Sequence, residues 1–76
     1  MEKNHKSAKQ LQEFGNQVRK YRSLLGISQE KLAELSGLHR TYIGHVERGE
    51  VNISLLNLFK ISKALKITAE ELVRGL

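Results

Sequence analysis

Arg40, Thr41, His45 and Arg48 lie within nine residues of one another, with Gly44 among them. Their types suit hydrogen bonding to base edges. A guanidinium fork matches guanine O6 and N7, threonine offers a hydroxyl and a methyl that suits thymine, and an imidazole donates or accepts. On a wheel of 3.6 residues per turn these residues share one side, while Tyr42, Ile43 and Val46 fall on the other. The outward set holds no acidic residue, whereas a merely solvated helix face more often mixes Glu with Lys. Gly44 in its middle lets backbone come close to whatever that face meets. Arg40 is the first choice for direct base readout, followed by Thr41 and, one turn deeper, His45. His39, Arg48 and Asn52 read as contacts to the phosphate backbone. Tyr42 is open between two readings, a ring at the core edge or a hydroxyl that reaches a phosphate.

Catalytic chemistry finds no comparable constellation. His39 and His45 are six apart, which puts them about 120° apart on a helix, and neither has a partner at the i+3 or i+4 spacing of a helical metal site. No glycine-rich phosphate loop is present, and no Ser/His/acid arrangement can be argued from the order of residues. Neither a cofactor, nor a metal, nor a small-molecule effector is expected. The chain does not read as an enzyme.

Two short helices must hold the outward face, and the stretch QEKLAELSGLHRTYIGHVER, Gln29 to Arg48, supplies them. Leu32, Ala33 and Leu35 form the apolar stripe of the first, and Ala33 is small where the two must cross. Gly37 is the break, because a helix often ends on a residue of positive φ and glycine takes that conformation without a Cβ penalty. Leu38 plugs the corner, His39 stands at the cap position, and Ile43 and Val46 form the buried stripe of the second helix. The pattern is a helix-turn-helix.

Further helices complete the core. Residues 1–7 read as a flexible arm, since terminal tails are disordered by default; its basic residues either stay solvated or lie along phosphates. Ser7 and Gln10 have capping-box spacing, so an opening helix is expected from there to Leu25, with Leu11, Phe14, Val18, Tyr21 and Leu25 facing inward. Gly15 inside it costs roughly 1 kcal/mol relative to alanine, which suggests a close helix contact. Ser28 caps the second helix. Ser54 caps a fourth, Leu55 to Leu65, with Leu55, Leu58, Ile61 and Leu65 inward. Thr68-Ala69-Glu70-Glu71 opens a short fifth helix ending by Gly75. Residues 8–76 therefore form a single all-α domain of five helices with the helix-turn-helix at 29–48.

The spacing of Gln29, Ala33, Gly37, Ile43 and Val46 resembles the phage-repressor-like (Xre-type) helix-turn-helix proteins, from about Phe14 to Leu72. The stretch GLHRTYIGHVERGEVNISLLNL resembles more closely still the controller proteins of restriction–modification systems, which are small dimeric transcription regulators. The resemblance implies a compact lambda-repressor-like fold that binds double-stranded DNA in the major groove. It also implies that Gln29 meets a phosphate at a helix N-terminus, where the dipole already favours an anion. Glu47, an acid beside a DNA-facing helix, is implied to pair with Arg22 and to orient that helix. Two departures stand out: Ser36 occupies a place the family usually fills with an apolar residue, and Glu50–Val51 replace a basic one.

Charge agrees with an anionic partner. Thirteen Lys and Arg against eight Asp and Glu give +5, and residues 1–27 carry six cations against two acids. There is no cysteine, no apolar run near the ~20 residues of a membrane span, no signal peptide and no proline, so a cytoplasmic, nucleoid-associated helical protein is expected and no membrane partner. Apolar residues beyond the needs of the core, Leu56 and Phe59 on the fourth helix with Val73 and Leu76 at the end, suggest a homodimer. Its recognition helices would stand ~34 Å apart on a near-palindromic site. Two rival readings use the same fold. An antitoxin-like protein-interaction module would show an apolar surface without a base-reading face, and a non-specific nucleoid protein would bind all sequences with steep salt dependence.

Overall fold

The computed structural model describes residues 5–76, with side chains from Ser7 onward. Five helices follow one another: α1 (His5–Leu25), α2 (Gln29–Ser36), α3 (Arg40–Glu47), α4 (Leu55–Ala64) and α5 (Ala69–Val73). Among the described residues there is no strand. Short hydroxyl side chains set where three helices begin. Ser28 accepts from the Lys31 amide at 3.0 Å, Ser54 from Asn57 at 3.1 Å, and Thr68 from Glu71 at 3.0 Å. Each such cap stabilises its helix by about 1 kcal/mol.

Four helices end in the same fold-back. Two residues past the last turn the amide returns to the carbonyl five residues earlier, in the pairs Ile27–Arg22, Leu38–Ala33, Glu50–His45 and Ile67–Ser62. Each reversal hinges on a left-handed residue, namely Gly26, Gly37, Gly49 or Lys66. The Gly37 hinge matters most here, because it sets the angle between α2 and α3.

α1 lies against α3 and α5, α2 against α3 and α4, and α4 against α5. Between them Phe14, Val18, Leu32 and Ala33 meet Ile43 and Val46, with Ile61, Ala64, Leu65 and Leu72 closing the core. A fully buried Leu, Ile or Val contributes about 1.5–3 kcal/mol. At Gly15 the backbones of α1 and α3 nearly touch. A Cβ there would fall 2.5 Å from the Val46 carbonyl oxygen and 2.6 Å from that of Glu47.

Several expectations need correction. α1 starts at His5 rather than at a Ser7 cap, so residues 5–7 belong to the helix; the run of Lys, Ala and Gln that follows propagates a helix readily. The rest of the arm, residues 1–4, lies outside the described residues. Leu25, Leu35 and Leu55 are exposed. Leu25 sits in the last turn of α1 and Leu55 in the first turn of α4, both beyond the reach of the core. In α2 the buried face runs through Leu32, Ala33 and Ser36, which leaves Leu35 roughly 100° from its centre. Ser36 tolerates burial because its hydroxyl donates to the Ala33 carbonyl at 3.2 Å. Leu76, expected to be surplus, is half-buried against the core, and its carbonyl accepts from the Gln10 amide at 3.2 Å.

Candidate nucleic-acid interface

The turn between α2 and α3 places His39 at the start of α3 in extended conformation, with no side-chain cap bond. Past it the first turn of α3 contains no acid. Arg40 and Thr41 are exposed, and no described residue pairs with their side chains. This end of the helix is bare and ready to be met. Asn52 is exposed in the loop after α3.

The other end of α3 is held from below. Glu47 is buried, and Arg22 Nε donates to its Oε2 at 2.6 Å while Arg22 Nη2 donates to Oε1 at 3.1 Å. Gln29 Nε2 donates to the same Oε1 at 2.9 Å. Arg19 adds its charge, with Nε 3.5 Å from Oε1 and Nη2 donating to the Glu47 carbonyl at 3.2 Å. Burial pushes the carboxyl up, but the bonds from Arg22 and Gln29 and the charges of Arg22 and Arg19 outweigh it and hold Glu47 below the usual carboxylate range. The bond to Glu47 likewise raises the Arg22 guanidinium. Arg22 also donates to the Ile27 carbonyl at 2.9 Å, so one guanidinium ties α1, the α1–α2 turn and α3 together.

Sequence reasoning missed two members of this network. Arg19 stands one helical turn before Arg22, a spacing that puts both on one face of α1. Gln29, expected at a phosphate, has one amide hydrogen committed to Glu47, and the other is left.

Beside the same end lies a second group, whose Arg48 and Glu50 line one cleft with Glu47 and with Gln12, Asn16 and Arg19 of α1. His45 Nδ1 is 2.6 Å from Glu50 Oε1, and Arg48 Nε donates to Glu50 Oε2 at 3.1 Å. Arg48 Nη2 is 3.3 Å from His45 Nδ1. Bonds from His45 and Arg48 hold the Glu50 carboxyl below its usual range. Gly44 is buried rather than open. A Cβ on it would meet Arg48 Nη1 at 3.3 Å, so the glycine seats the guanidinium and does not itself offer backbone. Tyr42 is half-buried with its ring against the core; its hydroxyl accepts from Asn57 Nδ2 at 3.1 Å, a partner the helical wheel had no way to indicate.

The family described as Helix-turn-helix matches residues 18–72. This chain belongs to that family. Control protein C.SmaI of Serratia marcescens is 54% identical over 56 residues, 74% of this chain and 67% of that protein. The crystal structure of the restriction-modification controller protein C.AhdI from Aeromonas hydrophila has a TM-score of 0.80 and 52% identity, covering 82% of this chain and 94% of that one. The P22 c2 repressor in complex with a synthetic operator is 32% identical with a TM-score of 0.75, covering 83% and 96%. As a helix-turn-helix protein of this kind the chain is a DNA-binding transcriptional regulator and not an enzyme. No described helix is long and apolar enough to cross a membrane.

Proposed function

We propose that this protein regulates a restriction–modification locus by binding a near-palindromic operator as a homodimer in the cytoplasm, at the nucleoid, without a small-molecule effector. The observation that carries the reading is the bare first half of α3, where Arg40 and Thr41 stand exposed and unpaired on a helix pinned from beneath. In the major groove Arg40 reads guanine, Thr41 and His45 read neighbouring pairs, and His39, Gln29, Tyr42, Arg48 and Asn52 set the register on phosphates. The Arg22–Glu47 pair orients the helix. Selection from random DNA should yield one two-fold site; Arg40→Ala should lose roughly 1–3 kcal/mol there and relax preference at one pair. Unchanged discrimination in that variant would reduce Arg40 to a phosphate contact.

The dimer part of the proposal rests on the C-terminal half. Leu55 (63% exposed), Leu56 (69%) and Phe59 (49%) form an apolar surface on α4, with Val73 exposed on α5. Leu76 adds a half-buried edge. Replacing Leu56 and Phe59 by lysine should give a folded monomer with weak, non-cooperative DNA binding. Sedimentation showing a wild-type monomer at micromolar concentration, or an intact dimer in the double variant, would discard this interface.

A further inference from the structure

The fold-back that ends α3 differs from the other three. At α1, α2 and α4 the residue returning its amide is Ile27, Leu38 or Ile67, and each packs against the core. At α3 the same position is Glu50, charged and exposed. Its amide donates to the His45 carbonyl at 2.9 Å, so the backbone itself carries the carboxylate back over the last turn of the helix. Packing cannot be the reason for Glu50. Its two oxygens instead divide between the side chains beside it, Oε1 at His45 Nδ1 and Oε2 at Arg48 Nε.

The His45 contact fixes a proton. A carboxylate has only lone pairs, so a ring nitrogen 2.6 Å away must supply the hydrogen. Arg48 Nη2, 3.3 Å from the same nitrogen, is also a donor and would bond it only in the opposite tautomer; the shorter contact to Glu50 decides. With Nδ1 protonated, the neutral imidazole keeps a bare lone pair on Nε2, the nitrogen away from Glu50. We infer that Glu50 is a specificity-determining residue, which locks His45 as the Nδ1–H tautomer so that Nε2 enters the major groove as an acceptor. The reading of α3 as the DNA-reading helix is assumed in this.

An acceptor selects an exocyclic amine. Cytosine N4 and adenine N6 supply one in the major groove, whereas guanine and thymine present only acceptors at the corresponding positions. Without Glu50 the proton is free to move to Nε2, which then donates and favours guanine or thymine. The guanidinium of Arg48, seated over Gly44 and bonded to Glu50, offsets the repulsion that a carboxylate would otherwise offer to phosphate.

Two measurements on the full chain test this. In the DNA-free protein, nitrogen–proton correlation spectra recorded along a pH series should show that the neutral His45 ring is protonated at Nδ1 and bare at Nε2. Site selection from random DNA should then be run on wild type, His45→Ala, Glu50→Ala and Glu50→Gln. His45→Ala locates the pair by flattening one position of each half-site, at which wild type selects cytosine or adenine. Glu50→Ala should move that position toward guanine or thymine by roughly tenfold, within the range a good base contact provides. Glu50→Gln, whose amide both donates and accepts, should level the preference without reversing it; all other positions should hold. An Nε2–H tautomer in the free protein, or Glu50 variants that select the wild-type site, would overturn the inference while leaving the regulator intact. A wild type that selects no site would remove the DNA reading and the inference together.

Discussion

Glu47 and Glu50 sit three residues apart at the same end of α3, both held ionised by arginine, yet they stand in opposite surroundings. The Glu47 side chain is fully buried and collects three side chains from α1 and α2. Glu50 is about half exposed, and its partners are its own neighbours, His45 and Arg48. A buried carboxylate with its partners in place is neutralised, but removal of one member strands charge without water, whereas a surface pair loses little when broken. The same chemistry therefore does two jobs. At Glu47 it fixes where α3 lies; at Glu50 it shapes what α3 presents.

The largest effect expected from this contrast is on Glu47. Glu47→Ala leaves Arg22 without its partner and should destabilise by roughly 3–5 kcal/mol, read from urea or thermal unfolding. A loss no greater than that of Glu50→Ala would erase the distinction. Gly15→Ala comes next, because its methyl would press on the Val46 and Glu47 carbonyls. It should cost roughly 1–3 kcal/mol and weaken cognate DNA binding by tilting α3; wild-type stability would mean that α1 and α3 separate easily.

Acid should sharpen the comparison further. The folded-state Glu47 carboxyl titrates below its ordinary value near 4.5, so between the two values the unfolded chain binds more protons. Its stabilising contribution is complete above the unfolded value and is lost as pH falls through the lower folded one. Melting temperatures should drop over that window in wild type, and Glu47→Gln should show a shallower acid limb. Smallest of all is Glu50→Ala, whose melting should match wild type within error. A clear drop would make Glu50 a structural residue and not a presenting one.

The helix-turn-helix was legible because its signals are local: a serine cap at Ser28, a glycine hinge at Gly37, and the period of Ile43 and Val46. Gly15 also spoke plainly, since a glycine inside a good helix calls for a close neighbour. Errors fell where periodicity is blind. Leu25, Leu35 and Leu55 keep the helical period, but a wheel does not know where the core stops. Gly44 was read as open because the wheel places a residue on a face and says nothing about a long Arg48 folding over it. Glu50 departs from the family pattern, and the Gly49 hinge is the signal in the sequence that brings it back to His45. Gln29 shows the remaining difficulty, since one amide suits both a phosphate and a buried carboxylate and only three-dimensional placement tells them apart.

The repeated fold-backs bear on how fast the chain reaches this shape. Each joins residues only five apart, so three helix junctions and the exit from α3 are settled by short loops that close at small entropic cost. Helical domains rich in such local contacts fold in microseconds to milliseconds. The slower searches are the meetings of α1 with α3 and α5. Arg22 and Glu47 are 25 residues apart, and Gln10 reaches the last residue of the chain, 66 away. The turn between α2 and α3 thus closes through local contacts, whereas the brace on α3 depends on a pairing 25 residues apart.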